Sequence, residues 1–213
     1  MRIHRFITII FLTIPALLSA QERRNYFPIW TFHQKNANIH GLSIGLGSVN
    51  TQNVTSNGIK LEIIGAGLVA PLVPSDIIVE DDSSFNNLMK IEPTERVNGI
   101  NLATFGTICE CQINGISLGT IGNITSETNG ITGAIFLNWS DIHNGMVFGA
   151  FTESNLLNGI QIGVRNEAYK SNGLQIGLLN ISKKMNGIQI GLWNNNGLRK
   201  LPFINWNFKR NAH

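Results

Sequence analysis

Asn158-Gly-Ile-Gln-Ile-Gly-Val164, Asn172-Gly-Leu-Gln-Ile-Gly-Leu178 and Asn186-Gly-Ile-Gln-Ile-Gly-Leu192 follow one another at intervals of 14 residues. Working backwards, Asn-Gly pairs begin at Asn144, Asn129, Asn114, Asn98 and Asn57, and His40-Gly41 stands in the same role at the front. From Asn98 onward the spacings are 16, 15, 15, 14, 14 and 14. Self-similarity at a near-constant period marks a chain built from repeats of one supersecondary unit.

Within a unit the period is two. Ile188, Ile190 and Leu192 point one way, and Gln189, Gly191 and Trp193 the other. That alternation predicts a strand rather than a helix. One face is aliphatic and the other small and polar, carrying Gly, Gln, Ser, Thr or Asn. The rest of each unit, such as residues 166–171 and 180–185, reads as a polar turn closed by Asn-Gly, a pair that accepts positive φ. One strand and one turn per unit predict an all-β, repeat-built antiparallel meander, closed as an up-and-down β-barrel. A β-solenoid with one coil per unit is the alternative. Against the solenoid, the second half of the unit lacks a steady apolar position: Glu167, Ile181 and Asn195 share one equivalent site. Against the barrel, the connections do not alternate between short and long. The units, an opening strand at 27–32 and a closing strand at 201–208 give eleven strands, so an even number needs one more from residues 69–97. In either case a charge on the aliphatic face, Ile190→Asp, is expected to cost more than Gln189→Glu.

Composition agrees. Charged residues are 14% of the 213, against roughly 25% in a typical soluble domain. Their place is taken by 22 Gly and still more Asn. The net charge of +3 is too small for a nucleic-acid footprint. No long apolar run follows the N-terminus, so no membrane-spanning helix is predicted there.

Arg2 and Arg5 precede an apolar run from Phe6 to Leu18, and Ser19-Ala20 gives way to polar Gln21-Glu22-Arg23. This order predicts a signal peptide over 1–20 with cleavage after Ala20. Residues 21–213 then form a single β-repeat domain with an insertion at 69–97. The two cysteines, Cys109 and Cys111, are two apart on a strand, where about 6.5–7 Å separates like-facing residues. That spacing predicts free thiols.

The insertion breaks the array. It holds Pro71, Pro74 and Pro93, each lacking a backbone donor. Glu80, Asp81 and Asp82 make it locally acidic, and Phe85, Leu88 and Met89 place apolar side chains beside the charge. These six residues are the candidate contact loop. A plug inside a barrel and a disordered connector are the alternatives.

Few chemistry-bearing motifs occur in the chain. His33, His40 and His143 have no metal-ligand spacing. Gly45-Leu-Gly47 and Gly65-Ala-Gly67 do not complete a dinucleotide fingerprint. No nucleophile elbow occurs. The prediction is a non-enzymatic protein with no catalytic, metal or cofactor residues. Its repeat positions, Gly159, Gln161, Gly163, Gly173, Gln175, Gly177, Gly187, Gln189 and Gly191, are structural.

The segments Gly159 to Asn166, Gly173 to Asn180 and Gly187 to Asn194 resemble the unit G-[IL]-Q-[IL]-G-[LV]-x-N of a bacterial surface-repeat family first named from spirochaetes and abundant in Bacteroidetes. Trp30 to Lys35 and Arg199 to Phe208 are similar to that family's opening and ending. Earlier units depart from it, with Ser43, Lys60, Asn101, Ser117 and Thr132 in place of Gln. The resemblance implies an exported, non-enzymatic protein of the outer membrane or cell surface of a Gram-negative bacterium. Two roles follow. As an outer-membrane barrel, the chain turns its aliphatic face to lipid and its Gln residues inward, with no nucleic-acid partner. As a soluble or surface-tethered module binding a glycan, protein or host surface, it makes the same aliphatic face its core.

Overall fold

Alternation of period two makes strands, and the repeats are strands throughout. The computed structural model describes residues 23–48, 51–73 and 78–208. The signal segment expected at 1–20 lies outside them. In chain order come β1 (Arg24–Tyr26), β2 (Ile29–Thr31), β3 (Ala37–Gly45) and β4 (Val54–Glu62). A 3-10 helix (Ala66–Leu72) and α1 (Asp82–Leu88) lead to β5 (Glu95–Ala103). Then follow β6 (Ile108–Gly119), β7 (Gly122–Gly133), β8 (Leu137–Asn195) and β9 (Lys200–Asn207). The protein is all-β.

Every strand pair from β1 to β8 is parallel, and each neighbour is the next unit along the chain. The register lays Asn-Gly on Asn-Gly: Gly41 pairs Gly58, Gly58 pairs Gly99, Gly99 pairs Gly115, Gly115 pairs Gly130, and Gly130 pairs Gly145. β8 carries 59 residues. Fully extended it would run to about 190 Å. Instead it folds back on itself once per unit, since Gln175 bonds Gln161 and Gln189 bonds Gln175, each 14 residues apart. Only β9 is antiparallel, closing the last unit with Ile188 opposite Trp206 and Ile190 opposite Ile204.

The expected antiparallel meander is therefore not the pairing observed, and the sheet is not closed into a barrel. Two physical features account for the difference. Asn-Gly sits inside the strand and not in a hairpin turn. Gly173 has φ +148 and stacks so closely on Gly159 that an added Cβ would strike the Gly159 carbonyl oxygen. Positive φ and close approach serve a stacked corner as well as a hairpin. In the second half of the unit, Glu167, Ile181 and Asn195 are only half-buried, so their mixed chemistry says nothing about the interior. The inward positions lie one residue earlier, at Asn166, Asn180 and Asn194, each fully buried.

The interior is polar. Successive units send Ser43, Lys60, Asn101, Ser117, Thr132, Val147, Gln161, Gln175 and Gln189 inward, and all are buried. The Gln residues form a ladder, with Gln175 Nε2 donating to Gln161 Oε1 at 2.7 Å and Gln189 to Gln175 at 2.8 Å. Asn205 of β9 caps it, donating to Gln189 Oε1 at 3.4 Å. On the other wall Asn166 donates to Asn180, and Asn180 to Asn194, both at 2.7 Å. A third ladder runs along the corner, where Asn98, Asn114, Asn129, Asn144, Asn158 and Asn172 each donate to the Asn before. Buried amides are tolerated because each finds a partner one unit away.

Cys109 and Cys111 form a disulfide, contrary to the free thiols expected. The β6–β7 register shifts between Cys109 and Gln112, and the two Cα atoms stand 5.1 Å apart. That is within disulfide range and shorter than a regular strand allows.

Candidate functional site

The aliphatic face is the outer surface. Ile162, Val164, Ile176, Leu178, Ile188, Ile190 and Leu192 are exposed, Ile190 to 43%, while Gln161, Gln175 and Gln189 behind them are at 0%. Ile59, Leu61, Ile100, Ile116, Leu118, Ile131 and Phe148 extend the wall toward the N-terminal units. Nine units at about 4.8 Å per strand make it about 40 Å long. Trp30 lies near one end, and Trp193 and Trp206 near the other, all three exposed. Contiguous apolar surface on this scale marks an interaction site. The repeat glycines Gly163, Gly177 and Gly191 alternate with the inward Gln residues; an added Cβ at Gly191 would meet the Gly177 carbonyl oxygen. Their lack of a side chain permits the close stacking of the wall.

The insertion is docked against the repeats. Its ends differ from the expected 69–97: the 3-10 helix begins at Ala66, and Glu95 and Val97 already belong to β5, fully buried. Asp81 caps α1, accepting from Ser84 N at 2.8 Å. The Ser84 hydrogen bonds hold the Asp81 carboxyl below its ordinary value. Asp82 pairs with Lys184 and accepts from the Tyr169 hydroxyl at 2.8 Å. The Lys184 contact, then the Tyr169 one, lowers its pKa. Phe85 is buried, its ring 5.3 Å from that of Tyr169, with Ile78 and Met89 in the same cluster. Val79 N donates to Asn155 Oδ1 at 2.9 Å. Of the six candidate contact residues, Glu80 and Asp81 are exposed, Leu88 is half-buried, and Asp82, Phe85 and Met89 are engaged with the repeats.

Between this segment and the repeats lies a groove of about 710 Å³, lined by Ala66, Val69, Ile91, Cys109, Glu110, Trp139 and Asp141 among others. The Trp139 Nε1 hydrogen is buried with no acceptor among the described residues. Burial pushes the Asp141 carboxyl up to about 6, against the hydrogen bond it accepts from Asn155 at 3.0 Å. Next along the wall, burial and then the charge of Glu167 raise Glu153 to about 6, with Arg165 opposing. His143 is buried in the stack, and that burial lowers it to about 4.

His33 and His40 are not brought together as a pair. His33 Nε2 accepts from Leu46 N at 3.1 Å, and His40 contacts Asn38 at 3.0 Å. Among the described residues no three His, Cys, Asp or Glu side chains gather in a metal-holding group. A charged cluster that motif spacing does not announce forms inside the stack, from Lys60, Glu62 and Glu95. Its one signal in the sequence is the Lys at a position where other units carry Ser, Asn, Thr, Val or Gln.

Comparison of the chain with models of protein families, with curated proteins and with solved structures finds no match.

Proposed function

We propose that this chain is a non-enzymatic β-solenoid of the bacterial cell envelope, exported through its N-terminal segment and applied to outer-membrane lipid by its aliphatic wall. The observation that carries the reading is the polarity of the stack: Gln inside, Ile, Leu and Val outside. A closed barrel would present the same wall to lipid, but its antiparallel ladder is not the pairing observed. An open sheet has unpaired edges, which hydrocarbon does not tolerate, so the wall rests in the interface and does not span. Exposed Trp30, Trp193 and Trp206 suit that depth, where indole rings concentrate. The likeness of the units to an exported surface-repeat family points the same way.

The test is flotation with phosphatidylethanolamine/phosphatidylglycerol vesicles, together with carbonate washing of envelopes. The wild-type chain floats and stays with outer membranes. A triple variant, Ile162→Asp, Ile176→Asp and Ile190→Asp, keeps its β spectrum and loses both properties, because interfacial binding scales with buried apolar area and the three carboxylates remove apolar area and repel the anionic lipid. Recovery of the wild-type protein in the soluble fraction would remove the lipid reading. The groove beside Trp139 and Asp141 favours a second reading, a surface module that binds a ligand there. Saturable ligand binding abolished by Trp139→Ala, with flotation unchanged, would support it.

A further inference from the structure

Lys60 occupies the inward position that Ser43 and Asn101 hold in the adjacent units. Its Nζ lies 2.6 Å from Glu95 Oε1 and 3.2 Å from Glu62 Oε1, with all three side chains at 0% exposure. The ammonium also donates to the Ser48 hydroxyl and sits 4.6 Å from the centroid of the Phe32 ring. The two carboxylates are held differently. Glu62 accepts from Ser48 N at 3.2 Å, the Ser48 hydroxyl at 2.8 Å and the Thr107 hydroxyl at 2.9 Å. Glu95 has no hydrogen-bond partner beyond its contact with Lys60 among the described residues. Two carboxylates and one ammonium are thus enclosed away from solvent, where burial penalises each charge.

We propose that this cluster condenses, joining Lys60 Nζ to the Glu95 carboxyl carbon as an amide that cross-links β4 to β5. A proton passing from the ammonium to Glu95 Oε1 across the 2.6 Å contact leaves a neutral amine facing a carboxylic acid. The amine lone pair attacks the carboxyl carbon, forming the C–N bond and moving the carbonyl π pair onto oxygen. Glu62 takes the proton released by nitrogen and passes it to the Glu95 hydroxyl. The C–O bond breaks, water leaves, and the carbonyl re-forms. The products are one secondary amide, one water and Glu62 returned as carboxylate, so no oxidant or cofactor enters. In bulk water the ammonium carboxylate is the stable form. Here bulk water is excluded, and holding the two groups in contact supplies an effective concentration of about 10⁵ M or more. The reaction occurs once per chain and is separate from the lipid-facing role.

Tryptic digestion of the purified full chain with mass spectrometry tests the bond. If it forms, cleavage after Lys60 is blocked. Residues 36–90 and 91–96 then appear as one branched species, lighter by one water than the sum of the two peptides. Lys60→Met abolishes the link. Glu62→Gln, checked for an unchanged β spectrum, leaves it unformed. Recovery of free peptide 91–96 in full yield from the folded wild-type chain overturns the proposal. Complete linkage in E62Q overturns the proton route through Glu62. The wild-type digest decides the bond alone, so a misfolded variant leaves the test intact.

Discussion

Gln189 donates from Nε2 to the Oε1 of Gln175 across 2.8 Å, and neither side chain is exposed at all. The ladder of which this is one rung takes the place that aliphatic packing has in most repeat stacks. Gln175→Leu removes a middle rung. Gln161 then loses its donor and Gln189 one of its acceptors, each inside the stack. An unsatisfied buried polar group costs about 1–3 kcal/mol, so the variant should lose on the order of 3 kcal/mol in urea unfolding. Ile190→Asp, at an exposed site, should change the isolated protein by less than about 1 kcal/mol. The ranking expected from the sequence, with Ile190→Asp worse than Gln189→Glu, reverses in water. A larger loss for Ile190→Asp than for Gln175→Leu would mean that the aliphatic wall, and not the Gln ladder, is the core.

Much of this was legible in the residues. Period-two alternation marks the strands, and the nine Asn-Gly or His-Gly sites mark the register, since those glycines align across the sheet. The sense of pairing was not legible, because a glycine at positive φ serves a hairpin and a stacked corner equally. Nor was it evident that Asn166, Asn180 and Asn194 point inward. Polar residues read as solvated until a partner one unit away is known. The docking of Phe85 on Tyr169, far apart in the chain, and the meeting of Lys60 with Glu95 depend on tertiary placement that local spacing does not encode.

Gly173→Ala should be as damaging as a core truncation. The residue needs φ +148, and a Cβ there would strike the carbonyl oxygen of Gly159. Strain of about 1–3 kcal/mol combines with overpacking of similar size. A thermal midpoint close to that of wild type would show that the units can separate at the corner.

Stability should fall in mild acid through His143. Its folded pKa of about 4 lies below the ordinary 6.5, because burial opposes the charged ring. Below 6.5 the unfolded chain takes up a proton that the folded chain refuses. The stabilisation is therefore complete above about 6.5 and is lost as pH falls toward 4. Asp141 and Glu153, both raised to about 6, act in the opposite sense, losing stability as pH rises through that value. The difference between wild type and His143→Leu isolates the histidine, since the next unit carries the buried Leu157 at the equivalent position. The leucine variant should gain on wild type between about pH 7 and pH 5 in chemical unfolding. Parallel stability curves would place the His143 proton elsewhere.

The docked insertion should be held by its apolar contact more than by its ion pair. Asp82 and Lys184 meet at the surface, both substantially exposed, where salt and side-chain entropy leave little net gain. Phe85 is buried against Tyr169, and its truncation leaves a cavity under α1. Limited trypsin digestion reads the difference, because Lys90 follows α1 closely and is exposed. Phe85→Ala should speed cleavage at Lys90 several-fold while the repeats stay resistant. Lys184→Ala should leave the rate near wild type, and so should salt at about 0.5 M, whose screening length of about 4 Å would release an ionic latch. Cleavage as fast in Lys184→Ala as in Phe85→Ala would make the latch electrostatic. A wild-type rate in Phe85→Ala would show that Val79, bonded to Asn155 at 2.9 Å, holds the segment without its aromatic anchor.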